Sequence, residues 1–307
     1  MRYLLKAAAA AAIIATLAAC SPAKTEAPAP ATPVEAPAAP IAYGANAAAS
    51  GTFVHDGVTF YYETYGEGEP LLMVHGNGAS IGSFVKQIEY FKSKYRVIAM
   101  DSREQGKSGG SDKPLTYEVM TDDLSALLEH LKTGPVSVLG WSDGGIEALL
   151  LGIRHPDKVK NIVAMAANLN PSLDALYPET LGMVDDMKKS LPPEARETPE
   201  GKKLLKLMQL MLEQPNIDPK ELGKITAPVL VLAGDQDLIR LEHTVAIFNA
   251  IPNAELAIFP NSTHAVPLDS PELFNATVER FLSTPFKKKD RVADVLTSFG
   301  GLLSTTE

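Results

Sequence analysis

The chain is short of cysteine, of tryptophan and of positive charge, and each shortage removes a class of protein. Cys20 is the only cysteine among 307 residues. No disulfide can therefore form within the chain, and stability has to come from a buried core. No His/Cys cluster has metal-ligand spacing, so no metal is expected. Lys and Arg number 28 against 37 Asp and Glu, a formal charge of −9. An acidic chain is a poor match for a phosphate backbone, and nucleic acid is not expected as a partner. A glycine loop of the phosphate-cradling kind is also missing, so no organic cofactor is implied. Internal repeats are absent. The apolar stretch at residues 7–19 falls short of the roughly 20 residues that span a bilayer.

That stretch has another use. Arg2 and Lys6 precede it, and a positive segment followed by a short apolar core reads as a signal peptide, residues 1–19. It ends in Leu17-Ala18-Ala19-Cys20, which resembles the lipobox of bacterial lipoproteins. The resemblance implies that Cys20 is acylated, becomes the first residue after cleavage, and ties the protein to a membrane of the cell envelope. Ser21 follows it; by resemblance to enterobacterial sorting rules this favours the outer membrane, with the folded part in the periplasm or at the surface. Residues 20–50 are rich in Ala and Pro, with Lys24, Glu26 and Glu35 as their charges. Such a segment has too little to bury and is expected to be an extended tether.

Residues 51–284 read as one α/β domain. Strands are expected at 52–55 and 58–63, joined by the hairpin turn Asp56-Gly57, and at 71–74, 96–100, 136–139, 161–165, 228–233 and 255–259. Helices are expected at 81–92, 116–131, 146–154 and 241–250, and from Pro271 onward. The alternation implies a mostly parallel sheet with helices on both faces and an antiparallel hairpin at one edge. Between 168 and 223 the rhythm breaks into a Leu- and Met-rich helical segment, including Leu204, Leu205, Leu207, Met208, Leu210, Met211 and Leu212. It is expected to be an inserted cap over the C-terminal edge of the sheet, where such folds bind ligands. Residues 285–307 form a basic, amphipathic extension. Lys287, Lys288 and Lys289 precede Val292, Val295, Leu296 and Phe299 on one helical face. Docking of this helix on the core is expected, with a membrane surface or a partner as the alternative.

The chemistry starts at Gly140-Trp141-Ser142-Asp143-Gly144. A G-x-S-x-G run between a strand and a helix holds its serine on a sharp bend with the hydroxyl exposed. Side chains at Gly140 and Gly144 would collide where strand and helix pass closely, and the helix dipole favours negative charge beside the serine. A serine hydroxyl needs a base. His264 lies in a loop after the last strand and before a helix opened by Ser270 and Pro271, on the sheet edge that carries Ser142. His55, His130, His155 and His243 fall in a hairpin, in helices or beyond a helix end, and are read as surface or packing residues.

His75-Gly76-Asn77-Gly78, Asp101-Ser102-Arg103-Glu104-Gln105-Gly106-Lys107-Ser108, the Ser142 run, Gly234-Asp235-Gln236-Asp237 and His264 stand in an order that resembles the α/β-hydrolase superfamily. The resemblance implies an α/β-hydrolase fold with a small helical cap, Ser142 as nucleophile, His264 as base and Asp237 as the acid that orients it. Asp235 would brace the turn. The backbone amides of Asn77 and Asp143 would form the oxyanion hole, with the Asn77 side-chain amide as a further donor and the Asp143 carboxylate turned away. His75 would brace its loop or touch substrate, and Trp141 would line the acyl pocket or pack the turn. Glu104 stands where the superfamily's loop usually has glycine.

The function these readings imply is a serine esterase acting on a small or medium apolar acyl substrate through an acyl-enzyme, without a cofactor. The alternatives are a peptidase, lactonase or carbon–carbon hydrolase chemistry on the same serine, or a ligand-binding protein with little turnover. Cells fed labelled palmitate are expected to label the parent chain and not Cys20→Ala; label in both would remove the anchor.

Overall fold

The computed structural model describes residues 41–303 of the 307. The predicted signal peptide, Cys20 and most of the predicted tether lie outside the described residues. Eight strands form one sheet: β1 (Ser50–His55), β2 (Val58–Tyr65), β3 (Pro70–Val74), β4 (Arg96–Met100), β5 (Val136–Trp141), β6 (Val159–Met165), β7 (Val229–Gly234) and β8 (Ala254–Phe259), in the order β1-β2-β4-β3-β5-β6-β7-β8. Strands β3 to β8 run parallel, while β1 and β2 form the antiparallel edge. This is the α/β architecture expected from the alternation of elements.

Successive residues on a strand face opposite ways, and the central strands use both faces. Leu72 and Val74 of β3 enter one apolar layer together with Ile98 and Met100, Val136 and Val138, and Ile162. Leu71 and Met73 enter the other, with Val97, Leu139, Val163 and Met165. Helices α2 (Tyr117–Leu131) and α3 (Asp143–Arg154) cover the first face. Helix α1 (Val85–Phe91), preceded by a 3-10 turn at Ile81–Phe84, lies on the second. The central strands β3, β4 and β7 are therefore short, nearly continuous apolar runs, as a sheet buried on both sides requires.

The 168–223 segment supplies α4 (Pro178–Ser190), α5 (Pro193–Arg196) and α6 (Pro199–Glu213), then a 3-10 turn at Pro219–Lys224. After it come α7 (Leu241–Ala250), α8 (Val266–Asp269), α9 (Pro271–Ser283) and α10 (Ala293–Leu303). Phe274, Val278 and Phe281 of α9 join the second apolar layer.

Two expectations need correction. The tether does not extend to residue 50. Tyr43 packs edge-on against Tyr65 with ring centroids 4.9 Å apart, and the amides of Gly44 and Asn46 donate to the Glu63 carboxylate at 2.8 and 2.9 Å. Tyr61 and Tyr65 donate their hydroxyls to the same carboxylate at 2.6 and 2.7 Å. Burial pushes the Glu63 pKa up, but these four hydrogen bonds outweigh it and hold the carboxyl below its ordinary range. Nor does α10 dock on the core: Val292, Val295, Leu296 and Phe299 are 51–67% exposed.

Glu63→Ala removes the acceptor of all four donors. It is expected to lower the unfolding free energy in urea by about 2–4 kcal/mol, whereas Glu67→Ala at an exposed turn changes it by less than about 0.5 kcal/mol. Equal effects would mean that the Glu63 clasp carries no stability.

Candidate active site

Parallel strands deliver their loops to one edge. Asn77 follows β3, Asp101 follows β4, Ser142 follows β5, Asp237 follows β7 and His264 follows β8. Between β3 and β5 the strand order reverses direction, and Asn77 and Ser142 stand at this switch point, where open α/β sheets leave a crevice.

Ser142 has φ 58° and ψ −118°, a conformation that costs a non-glycine residue on the order of 1–3 kcal/mol. Its surroundings leave no alternative. A Cβ on Gly140 would stand 1.9 Å from the Gly144 carbonyl oxygen, and one on Gly144 would stand 2.0 Å from that of Val74. Both positions need glycine for this close approach. The Ser142 amide donates to the Met165 carbonyl of β6 at 2.8 Å, fixing the bend to the neighbouring strand.

Ser142 Oγ lies 2.9 Å from His264 Nε2, and His264 Nδ1 lies 2.6 Å from Asp237 Oδ1. With Nδ1 donating to the carboxylate, Nε2 presents its lone pair to the serine hydroxyl. Asp237 is buried, and its Oδ1 also accepts from the Ile239 amide at 3.1 Å. Asp235 is on the surface and accepts from the Ser262 amide at 3.2 Å, which braces the turn. The His264 loop is held in turn by Asp269, which accepts from the Thr263 amide and hydroxyl at 2.9 and 2.6 Å.

The loop after β3 closes on the serine: a Cβ on Gly76 would stand 3.6 Å from Ser142 Oγ. Among the described residues, the backbone amides of Asn77 and Asp143 donate to no protein acceptor, so both are free for a ligand oxygen. The Asn77 side chain is not free. Its Nδ2 donates to Asp143 Oδ2 at 2.9 Å and to the Leu207 carbonyl at 3.2 Å, which removes it as a further oxyanion donor.

The structure selects one of the two expected alternatives for His75 and for Trp141, and departs from expectation at Asp143. His75 does not reach a substrate: its Nε2 accepts from the Ser102 amide at 3.0 Å and its Nδ1 donates to the Gly76 carbonyl at 2.8 Å. The ring is fully used in joining two loops, and burial pushes its pKa down. Trp141 donates Nε1 to the His264 carbonyl at 2.8 Å and stacks edge-on with Phe84. It packs the turn and does not line the cavity. Asp143 does not turn its carboxylate away; it is buried, bonded to Asn77, and part of the cavity wall. Burial raises its pKa, partly offset by Asn77 and Tyr117.

The cavity over Ser142 and His264 has a volume of about 80 Å³. The sheet edge supplies Tyr117, Asp143, Asn168, Leu238 and Ile239, and the helical segment closes it with Leu181, Met183, Val184, Met211 and Gln214. Of the Leu/Met run at 204–212 only Met211 reaches it; Leu207, Met208 and Leu210 are buried in packing. A wider crevice of about 300 Å³ between α6 and residues 112–115 is lined mainly by charged and amide side chains and does not include Ser142. Tyr117, Asn168 and Gln214 also line the cavity; Tyr117 opens the helix expected at 116–131, Asn168 follows the strand expected at 161–165, and Gln214 follows the Leu/Met run at 204–212.

Glu104 has φ 64°, the left-handed region in which the superfamily's glycine costs nothing. Here the side chain reaches Lys206 Nζ of α6 at 2.7 Å and the Ser111 amide at 3.2 Å. The substitution therefore ties the core loop to the helical segment above the site.

One turn along α3, Glu147 is fully buried and neither carboxylate oxygen has a partner among the described residues. Burial, then the charges of Asp143 and Asp123, push its pKa well above the ordinary 4.5.

Residues 69–208 match the family model of the alpha/beta hydrolase fold. A putative carbamate hydrolase of Caulobacter sp. (strain K31) is 28% identical over 257 residues, 73% of this chain and 95% of that relative. The pimeloyl-[acyl-carrier protein] methyl ester esterase of Chromobacterium violaceum is 27% identical over 262 residues, 74% of this chain and 99% of that relative. Among solved structures, an alpha/beta hydrolase enzyme from a Medee basin deep-sea metagenome library superimposes with a TM-score of 0.68 at 20% identity, covering 79% of this chain and all of that one.

An acid whose pKa is raised by burial keeps its proton in the fold at pH values where the unfolded chain has released it, so stability falls as pH rises above the unfolded pKa. As pH rises above the ordinary carboxylate value of 4.5, the parent is expected to lose stability and Glu147→Gln to show a shallower decline in urea titrations at several pH values. Identical slopes would show that Glu147 is ionised in the fold. On sheet order, on the placement of Ser142 between β5 and α3, and on the matched family model, this chain has the α/β-hydrolase fold.

Proposed function

We propose that the chain is a serine hydrolase that cleaves a carboxylic ester or a related acyl bond through an acyl-enzyme on Ser142. The observation that carries this reading is the relay from Ser142 Oγ through His264 to Asp237, at 2.9 and 2.6 Å, opening into an apolar cavity. His264 Nε2 takes the hydroxyl proton as Ser142 Oγ bonds to the carbonyl carbon. The negative oxygen is met by the amides of Asn77 and Asp143 at the N-terminus of α3. Collapse expels the leaving group, which takes the proton from His264. Water, deprotonated by the same nitrogen, then attacks the acyl carbon, and the acid departs with the Ser142 hydroxyl restored. Asp237 holds the imidazole in the required tautomer and stabilises its cationic form.

The cavity of about 80 Å³ suits a small acyl group, and Leu181, Met183, Val184 and Met211 favour an apolar one, with methionine adapting to its shape. Relatives named as a carbamate hydrolase and as a methyl ester esterase support cleavage of an acyl bond without fixing the substrate. The enzyme would work at the cell envelope, held by a lipid on Cys20.

With short-chain nitrophenyl esters, Ser142→Ala and His264→Ala are each expected to lose at least about a thousandfold in kcat. Asp237→Asn should lose a comparable factor with little change in KM, because it disturbs the tautomer rather than the pocket. Turnover retained by a folded Ser142→Ala would end this reading.

A further inference from the structure

Helix α10 is the element that the proposed chemistry leaves unused. Val292, just before its first residue, and Val295, Leu296 and Phe299 within it are spaced as one stripe, and all four are exposed at 67, 51, 65 and 60%. A helix of 11 residues is marginal in water on its own, and this one has two glycines, Gly300 and Gly301. Its start is nevertheless well defined: Asp290 Oδ1 accepts from the amides of Val292 and Ala293 at 2.9 and 2.8 Å, and Asp294 returns a bond to the Asp290 amide at 2.7 Å. This occupies Asp290, the one acid within the run Lys287-Lys288-Lys289-Asp290-Arg291. Four exposed cations thus stand directly ahead of an exposed apolar stripe, in a chain whose net charge is −9.

We propose that α10 and the basic run before it dock on an anionic phospholipid surface. The chemistry is complementary in both parts: cations meet lipid phosphates, and the apolar stripe enters the boundary between headgroups and acyl chains. A second copy is the poorer occupant, because pairing two α10 stripes covers the apolar residues but offers the four exposed cations no anionic surface. The docking also orients the site. Lys288 Nζ donates to the Pro252 carbonyl at 3.2 Å, just ahead of β8, whereas Ser142 and His264 follow the opposite, C-terminal ends of their strands. With α10 on the surface, the cavity faces away from it, and the substrate arrives from the aqueous side.

The test is hydrogen exchange on the full chain, followed in peptides covering 287–303, with vesicles of phosphatidylglycerol or of phosphatidylcholine. Phosphatidylglycerol is expected to slow exchange in these peptides at least tenfold and phosphatidylcholine to leave it unchanged. High salt should reverse the effect. Leu296→Asp combined with Phe299→Asp should abolish the protection and leave turnover of a soluble ester as in the parent. Three results would overturn the proposal: no slowing with either lipid, equal slowing with both, or slowing without vesicles that grows with protein concentration, which would assign the stripe to a second copy.

Discussion

The close passage of β5, α3 and the end of β3 is the constraint on which the rest of the site depends. Gly140 and Gly144 leave room for backbone to lie where a Cβ would be 1.9 and 2.0 Å from a carbonyl oxygen. Only this approach turns the chain sharply enough to place Ser142 at φ 58° with its hydroxyl on the crevice side. The strain is held by packing on either side, since Ile146, Leu149 and Leu150 of α3 are buried in the first apolar layer. The same turn leaves the first amide of α3 without a protein acceptor among the described residues, so one backbone feature sets the hydroxyl beside an unpaired donor.

Much of this was legible in the sequence because it rests on local signals. The alternation of short apolar strands with amphipathic helices implies a two-faced sheet, and residues that follow parallel strands must gather at one edge. Side-chain direction was another matter. His75, Trp141 and Asp143 stand in the right loops, but what each touches is decided by groups far off in sequence: the Ser102 amide, the His264 carbonyl and Asn77. Residues 41–49 have the composition of a tether, yet Tyr43 packs on Tyr65 and the amides of Gly44 and Asn46 find Glu63, about twenty positions away. Which helical face of α6 meets the cavity could not be read either, because apolar residues occur around much of that helix.

The buried acids show what the site tolerates. Asp143 and Glu147 occupy successive turns of α3 behind the nucleophile, and burial discourages ionisation of both. Glu104 lies within reach of Lys206, a contact that fastens α6 over the crevice. Acidic side chains are thus kept quiet beside the serine and used for fastening at the rim.

The central claim is that Ser142 is an activated nucleophile. Intact-mass analysis of the full chain after treatment with a fluorophosphonate, beside Ser142→Ala, tests it most directly. The account predicts one adduct on the parent and none on the variant. A folded parent that takes up no reagent, or a variant that labels as well as the parent, would contradict it.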